Sequence, residues 1–219
     1  MLVISEIFYS LQGEGTLTGV PFSFIRLTGC NLRCGYCDTS YAFYNGKRRS
    51  FEEILSTIKP HQTKHVLVTG GEPLLQKNTP TFAQFLIDHD FEVSIETHGE
   101  ISIEGLPNDV HIIMDIKTPG SLIRSNQFFE NLKFLKPSDE IKFVITSEDD
   151  FYWAKKIIVE GLPTKTVLMS AVNTAENSPH DTKAFSAPKL ADLILENHLN
   201  VRMQIQLHKH LWPSKSMGV

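Results

Sequence analysis

All three cysteines of the 219-residue chain fall in one short stretch, Cys30, Cys34 and Cys37, spaced C-x3-C-x2-C in GCNLRCGYCDT. Clustered thiolates select zinc or an iron–sulfur cluster. A structural zinc normally takes four protein ligands, and a cubane cluster is usually held by four cysteines. With no fourth cysteine in the chain, two readings stand: His61 or His65 completes a zinc site, or one iron is left open to a substrate. A second stretch with chemical potential is Thr69-Gly70-Gly71-Glu72-Pro73, where paired glycines let backbone approach a ligand closely and offer it N–H and C=O groups; taken alone it is a tight turn before a helix. A third is Arg26 in the apolar run FSFIRL, since a charge there is costly without a partner. Its planar guanidinium suits a carboxylate ligand, and an internal ion pair with Glu14 is the alternative.

The elements that position these groups alternate between strand and helix patterns. Apolar runs at 22–28, 65–69, 92–97, 111–116, 140–145, 166–170 and 201–207 read as strands. Helices are expected from the Ser50/Glu53 capping box through about Ile58, and over 81–89, 126–135, 148–160 and 187–198; the short basic run Lys47-Arg48-Arg49 reads as a solvated loop. Alternation of this kind predicts an α/β fold with a mainly parallel sheet. In such sheets the working residues gather at the carboxyl ends of the strands. The cysteine loop, TGGEP, Glu96-Thr97-His98-Gly99, Asp115-Ile116-Lys117, Ser170–Asn173 and Gln206–Lys209 all fall at such ends.

Composition sets limits on function. A formal charge of −4 without a clustered basic face gives no nucleic-acid surface. No apolar stretch reaches the roughly 20 residues of a membrane helix, and no signal-peptide pattern opens the chain. Three close cysteines make a poor disulfide framework, which implies a reducing, cytoplasmic setting. Neither repeat nor linker divides residues 1–219, so one domain is expected.

The cysteine spacing with Tyr36 before the last cysteine, and the strand ending in GGEP, resemble the radical S-adenosylmethionine (SAM) superfamily. Within it, EIFYSLQGEGTLTGVPFSFIRLTGCNLRCGYCDTSYA, VTGGEPLLQ, MDIKTPGS and QIQLHKHLWP are similar to the 7-carboxy-7-deazaguanine synthase family, from about Ile4 to Pro213. The resemblance implies a partial, modified TIM-like (βα) barrel of about six mainly parallel strands with helices outside, forming a single radical SAM domain. It implies a lyase that contracts 6-carboxy-5,6,7,8-tetrahydropterin to 7-carboxy-7-deazaguanine and ammonia, a step of queuosine and other 7-deazapurine biosynthesis. The radical chemistry belongs to the cofactor, so no side chain is assigned as catalytic. A radical SAM enzyme that activates a partner protein is the competing function, and a non-enzymatic metal-binding module a third; LQGEG, Arg26 and CDT favour a small carboxylated substrate.

Site residues follow from the same resemblance. Cys30, Cys34 and Cys37 would ligate three irons of a [4Fe–4S] cluster, and Thr39 would contact Mg2+. SAM would meet Tyr36, Cys37, Asp38, Gly71, Glu72, Asp115, Ile116, Lys117 and Asn173, although Asp115 and Ile116 depart from the family's Ser-Pro. The pterin would meet Leu11, Gln12, Gly13, Arg26 and Thr69. Pro213 matches a proline whose terminal carboxylate binds substrate in some relatives, whereas this chain continues to Val219. His208 reads equally as a proton carrier or a hydrogen-bonded core histidine. A homodimer and a flavodoxin- or ferredoxin-type electron donor are the implied partners.

Overall fold

Runs such as HVLVT and HIIMDI are apolar at nearly every position, as strands covered on both faces must be. In the computed structural model, which describes residues 1–173, 183–215 and 217–219, they belong to one nine-stranded sheet ordered β3-β1-β2-β4-β5-β6-β7-β8-β9. The strands are β1 (Leu2–Leu11), β2 (Pro21–Leu27), β3 (Lys47–Arg49), β4 (His65–Gly70), β5 (Glu92–Thr97), β6 (His111–Ile116), β7 (Glu140–Ile145), β8 (Thr166–Ala171) and β9 (Arg202–Met203). Neighbours run parallel from β2 to β9, while β1 pairs antiparallel with β2 and with β3. Helices α1 (Phe51–Ile58), α2 (Thr79–Ile87), α3 (Phe128–Leu132), α4 (Glu148–Glu160) and α5 (Ala187–Glu196) lie between strands, and α6 (Leu207–Leu211) follows the last. The expected α/β architecture is present, with β2 and β4–β8 as its six long parallel strands. Among the described residues no ladder joins β3 to β9, so the sheet is open rather than a closed barrel.

Local chemistry starts the helices where it should. Ser50 accepts from the Glu53 N–H and Glu53 accepts from the Ser50 N–H, the reciprocal capping box that opens α1. Ser147 caps α4, whose first turn carries Glu148, Asp149 and Asp150 against the positive end of the helix dipole. Ile54, Ile58, Phe82, Leu86, Phe151 and Leu190 on the helices pack against Ile25, Val68, Ile95, Met114 and Phe143 on one face of the sheet. Each such side chain contributes about 1.5–3 kcal/mol by leaving water.

The other face is different. Phe22, Phe24, Leu67 and Ile113 form a small apolar patch near the strand starts, and Leu17 and Val20 of the loop after β1 pack on it. That loop, residues 12–20, is closed by bonds from the Gln12 N–H to the Val20 carbonyl and from the Gly19 N–H to the Gln12 carbonyl, both 2.8 Å. Thr16 donates both its N–H and its hydroxyl to Glu140 at the start of β7. Further along the strands this face carries a polar row, Arg26, Thr69, Glu96, Asp115, Lys142 and Ser170, one from each long parallel strand.

Four expectations are corrected. The run 47–49 is not a loop but the edge strand β3, whose exposed Lys47 and Arg48 blunt the sheet edge. The antiparallel β1 was not anticipated. The expected strand 201–207 shrinks to Arg202–Met203, because Gln204 and Gln206 turn their amides to Glu14 and the Leu207 N–H turns to the Gly13 carbonyl at 3.0 Å. The helix expected over 126–135 is only Phe128–Leu132. Asn131 at its end turns inward and binds the backbone of Gly99, Ile101 and Ile103.

Candidate functional site

The cysteine loop leaves the end of β2 and is held against the end of β4. The Glu72 N–H donates to the Gly29 carbonyl at 2.8 Å, and a Cβ placed on Gly71 would strike that carbonyl and sit 2.7 Å from the Cys30 Cβ. Only glycine fits there, so TGGEP and the cysteines form one unit. The three thiols are free and partly exposed. Burial pushes all three upward, Cys37 to about 11, while the Lys117 ammonium draws each of them down. A thiolate-binding metal removes those protons outright.

The zinc reading finds no support in this geometry. His61 bonds Ser23 at 2.8 Å and stacks on Tyr9. His65 pairs with Glu92 at 3.2 Å at the start of β4, the opposite end from Gly70 and Gly71. Among the described residues no three His, Cys, Asp or Glu side chains are gathered closely enough to cage a single ion. Three thiols with no fourth protein ligand among the described residues instead fit a polynuclear cluster with one open corner.

Glu72 acts through its own fold contacts. Wholly buried, its carboxylate accepts from the Leu74 N–H, the Thr97 hydroxyl and the His98 N–H, each at 2.9 Å. Burial pushes its carboxyl up to about 7 against these donors. His98 extends the link, its Nε2 lying 3.0 Å from Asn31 Oδ1 in the cysteine loop while its Nδ1 accepts from the Glu100 N–H. The Glu72 side chain thus cross-links the ends of β4 and β5.

Arg26 is pinned from one side. Its Nε donates to Glu6 Oε1 at 2.7 Å, and the same oxygen accepts from the Tyr41 hydroxyl at 2.7 Å. The guanidinium carbon lies 5.9 Å from the centroids of the Phe8 and Tyr41 rings. Neither terminal nitrogen bonds a described residue, so the fork that binds carboxylates is free. The expected partner Glu14 is replaced by Glu6, because Glu14 is taken by Lys142, Gln204 and Gln206.

The remaining residues divide into those brought together and those not. Asp38 pairs with Lys209 at 2.7 Å and accepts from the Thr39 hydroxyl at 2.8 Å; Lys209 holds its carboxyl well below the usual range despite burial. Thr39 makes no capping bond to the turn that follows, leaving its oxygen lone pairs for a cation. The Tyr36 hydroxyl is buried without a partner, with Lys117 5.6 Å from its ring centroid. Lys117 pairs with Asp115 at 3.0 Å, while Asp115 Oδ1 stays buried and unpartnered. Ile116, between them, faces the helix-side core and offers a ligand only its backbone. Thr69 donates to Glu96 at 3.3 Å.

Leu11 ends β1 at the amino-terminal side of the sheet, and the chain then turns over the open face so that Gly13 meets Leu207 and His208. Gln12 is buried and its amide oxygen folds back onto the Gly13 N–H at 2.9 Å, while Gly13 lies so close to the His208 ring that no Cβ would fit. His208 packs on Gly13, and burial pushes its imidazole below the ordinary value. Asn173 is exposed, its carbonyl 3.4 Å from Lys209 Nζ. Pro213 lies exposed in the turn after α6, and further along the same tail the Gly218 N–H reaches Glu6 at 3.1 Å. Lys142, Glu96, Glu14 and Glu6 were missed as site residues. The signal for Lys142 was present, since a lysine in EIKFVI is as anomalous as the arginine in FSFIRL.

Comparison with known proteins places this arrangement. The family model described as the radical SAM superfamily matches residues 24–136. A 7-carboxy-7-deazaguanine synthase of Koribacter versatilis is 38% identical over 99% of each chain. One of Methanospirillum hungatei is 40% identical over 95% of this chain and 84% of its own. The crystal structure of QueE from Escherichia coli superposes with a TM-score of 0.72 over 94% of each chain at 22% identity, a likeness of fold. SuiB of Streptococcus suis, solved bound to S-adenosylmethionine, shares the fold more loosely, at a TM-score of 0.56 over 80% of this chain and 48% of its own, with 15% identity.

Proposed function

The chain belongs to the 7-carboxy-7-deazaguanine synthase family of the radical SAM superfamily, and on that premise we propose a single-domain lyase of residues 1–219 whose rim holds cofactor and substrate as follows. The reaction is the conversion of 6-carboxy-5,6,7,8-tetrahydropterin to 7-carboxy-7-deazaguanine and ammonia in 7-deazapurine biosynthesis. Substrate and products balance in atoms, so no external oxidant is consumed. Cys30, Cys34 and Cys37 hold a [4Fe–4S] cluster, and the Gly71 backbone with Tyr36–Asp38, Asp115–Lys117 and Asn173 holds SAM. When bound, these groups supply a carbon radical able to remove a hydrogen atom from the substrate.

The chain's own part is placement. Arg26 takes the substrate carboxylate with its two free nitrogens, and Leu11–Gly13 and Thr69 bound the ring. The Thr39 oxygen offers Mg2+ one protein ligand, the substrate and water supplying others. Lys117, close to Tyr36 and Asp115, faces the cofactor side. Pro213, in the exposed turn after α6, stands as a further residue to border the substrate. A homodimer, a cytoplasmic location and reduction by a flavodoxin- or ferredoxin-type protein complete the reading. No helix among the described residues is long and apolar enough to cross a membrane.

The observation that carries the proposal is the Arg26 fork, oriented by Glu6 and left open beside the cysteine loop. The test is anaerobic turnover of reconstituted protein with the carboxylated tetrahydropterin, SAM and Mg2+, following ammonia and the deazaguanine. Cluster-loaded protein that cleaves SAM yet leaves the pterin unchanged would overturn it.

A further inference from the structure

Lys142 stands in the middle of β7, its side chain only 4% exposed, on the face away from the helices. Its ammonium has three donors and meets three carboxylates: Glu14 at 3.0 Å, Glu96 at 2.5 Å and Asp115 at 3.2 Å. These come from three separate pieces of chain, the 12–20 loop, β5 and β6. Burying such a cluster is poor economy for stability alone, since well-packed apolar groups serve as well or better. Its connections are what distinguish it.

Through Glu14 the ammonium holds the loop that carries the Gln12-Gly13 stretch; Gln206 and Gln204 grip the same carboxylate at 2.8 and 3.3 Å. Through Glu96 it holds Thr69, whose hydroxyl donates to the second Glu96 oxygen at 3.3 Å. Asp115 ties it to Lys117 on the cofactor side. Glu14 and Glu96 keep 19% and 27% of their side chains exposed, so the cluster borders open space and is not sealed in the core. The other anchors near Glu14 are Gln204 on the Gly15 N–H, Glu140 on Thr16 and the Leu207 N–H on the Gly13 carbonyl, none of which involves a charge on the loop itself.

We propose that Lys142 is a positioning residue for the pterin, fixing the substrate loop 12–20 and the Thr69 strand end in one arrangement and acting on the ligand only through them. The ligand's identity rests on the function proposed above; the coupling of Lys142 to the loop does not. The carboxylates' charges agree with this role: the Lys142 cation counters the burial of Glu14, and Lys117 followed by Lys142 does so for Asp115, so both stay below their ordinary range.

The test compares wild type with K142M, which keeps the stem and removes the charge. Hydrogen exchange of residues 12–20 and binding of 6-carboxypterin, a fluorescent oxidised analogue, are read on the same purified protein, and KM and kcat on reconstituted enzyme. The expected result is exchange in 12–20 faster by about tenfold or more, analogue binding weaker by a similar factor, and a loss of kcat/KM carried mainly by KM. β2 and β4 should keep their protection. Should K142M fail to fold, K142M/E96Q relieves the stranded negative charge and is held to the same expectations. Unchanged protection of 12–20 together with analogue binding within about twofold of wild type, in whichever variant folds, overturns the proposal. Wild type that binds no pterin, with exchange changed as expected, supports the coupling and sinks the pterin reading instead.

Discussion

Replacing Arg26 by methionine tests the carboxylate clamp most directly. The free fork would make two charge-assisted hydrogen bonds to the substrate, about 1.5–3 kcal/mol each and not fully additive. A loss of about 3–5 kcal/mol in binding follows, which is about two to three and a half orders of magnitude in affinity. Glu6 loses its cation but keeps the Tyr41 hydroxyl and the Gly218 N–H. The fold should therefore lose only about 1–3 kcal/mol, and E6Q/R26M removes the stranded charge if that proves too much. The assay is a fluorescence titration with 6-carboxypterin and with the same pterin lacking the carboxylate. Wild type should favour the first strongly, and R26M should bind the two alike. An R26M protein that folds and still prefers the carboxylated ligand refutes the clamp.

Three further outcomes are expected. G71A should lower iron and sulfide content after reconstitution severalfold with a fold penalty of only about 1–3 kcal/mol, because its Cβ pushes on Gly29 and Cys30; full cluster loading would contradict the close packing of the two loops. E72Q should lower the melting temperature of cofactor-free protein on the order of 5–10 °C, since the amide nitrogen that replaces one oxygen cannot accept, either from the His98 N–H or from the Leu74 N–H and Thr97 hydroxyl; an unchanged midpoint would mean the carboxylate is not the cross-link described. Glu140 is buried, yet hydrogen bonds from His111 and Thr16 hold its carboxyl below the usual range. With the folded value depressed, its stabilisation is complete above the unfolded value of about 4.5 and is lost as pH falls through the folded one. E140Q should be less stable at neutral pH and show a shallower acid limb in pH-dependent denaturation; parallel curves for both proteins would contradict this.

How much was readable in advance depended on whether a residue's partner is local. The Ser50/Glu53 box and the β-branched strands act within a few residues, and they appear where periodicity places them. Arg26 was recognisable because a charge in an apolar strand needs an explanation, but its partner was not. Glu6 reaches it only because β1 pairs antiparallel with β2, setting Glu6 opposite Arg26, and the β1 run carries no clean alternation to announce that pairing. Lys142 carried the same signal as Arg26, and its partners were hidden for the same reason: its three acceptors lie 128, 46 and 27 positions away in sequence (142 minus 14, 96 and 115). Residues 201–207 have a strand-like pattern, yet tertiary demand from Glu14 ended the strand at Met203. Pro213 was carried over by motif, and motif position fixes no spatial contact.

The loop over Phe22, Phe24, Leu67 and Ile113 has one more implication. Leu17 and Val20 form an oily stopper at the end remote from the cysteines. On the reading proposed above, that plug leaves the strand-end side, where the cysteine loop lies, as the route for substrate and product. Shortening this segment would then raise futile quenching, spending SAM without product, even in a protein whose cluster and clamp are intact.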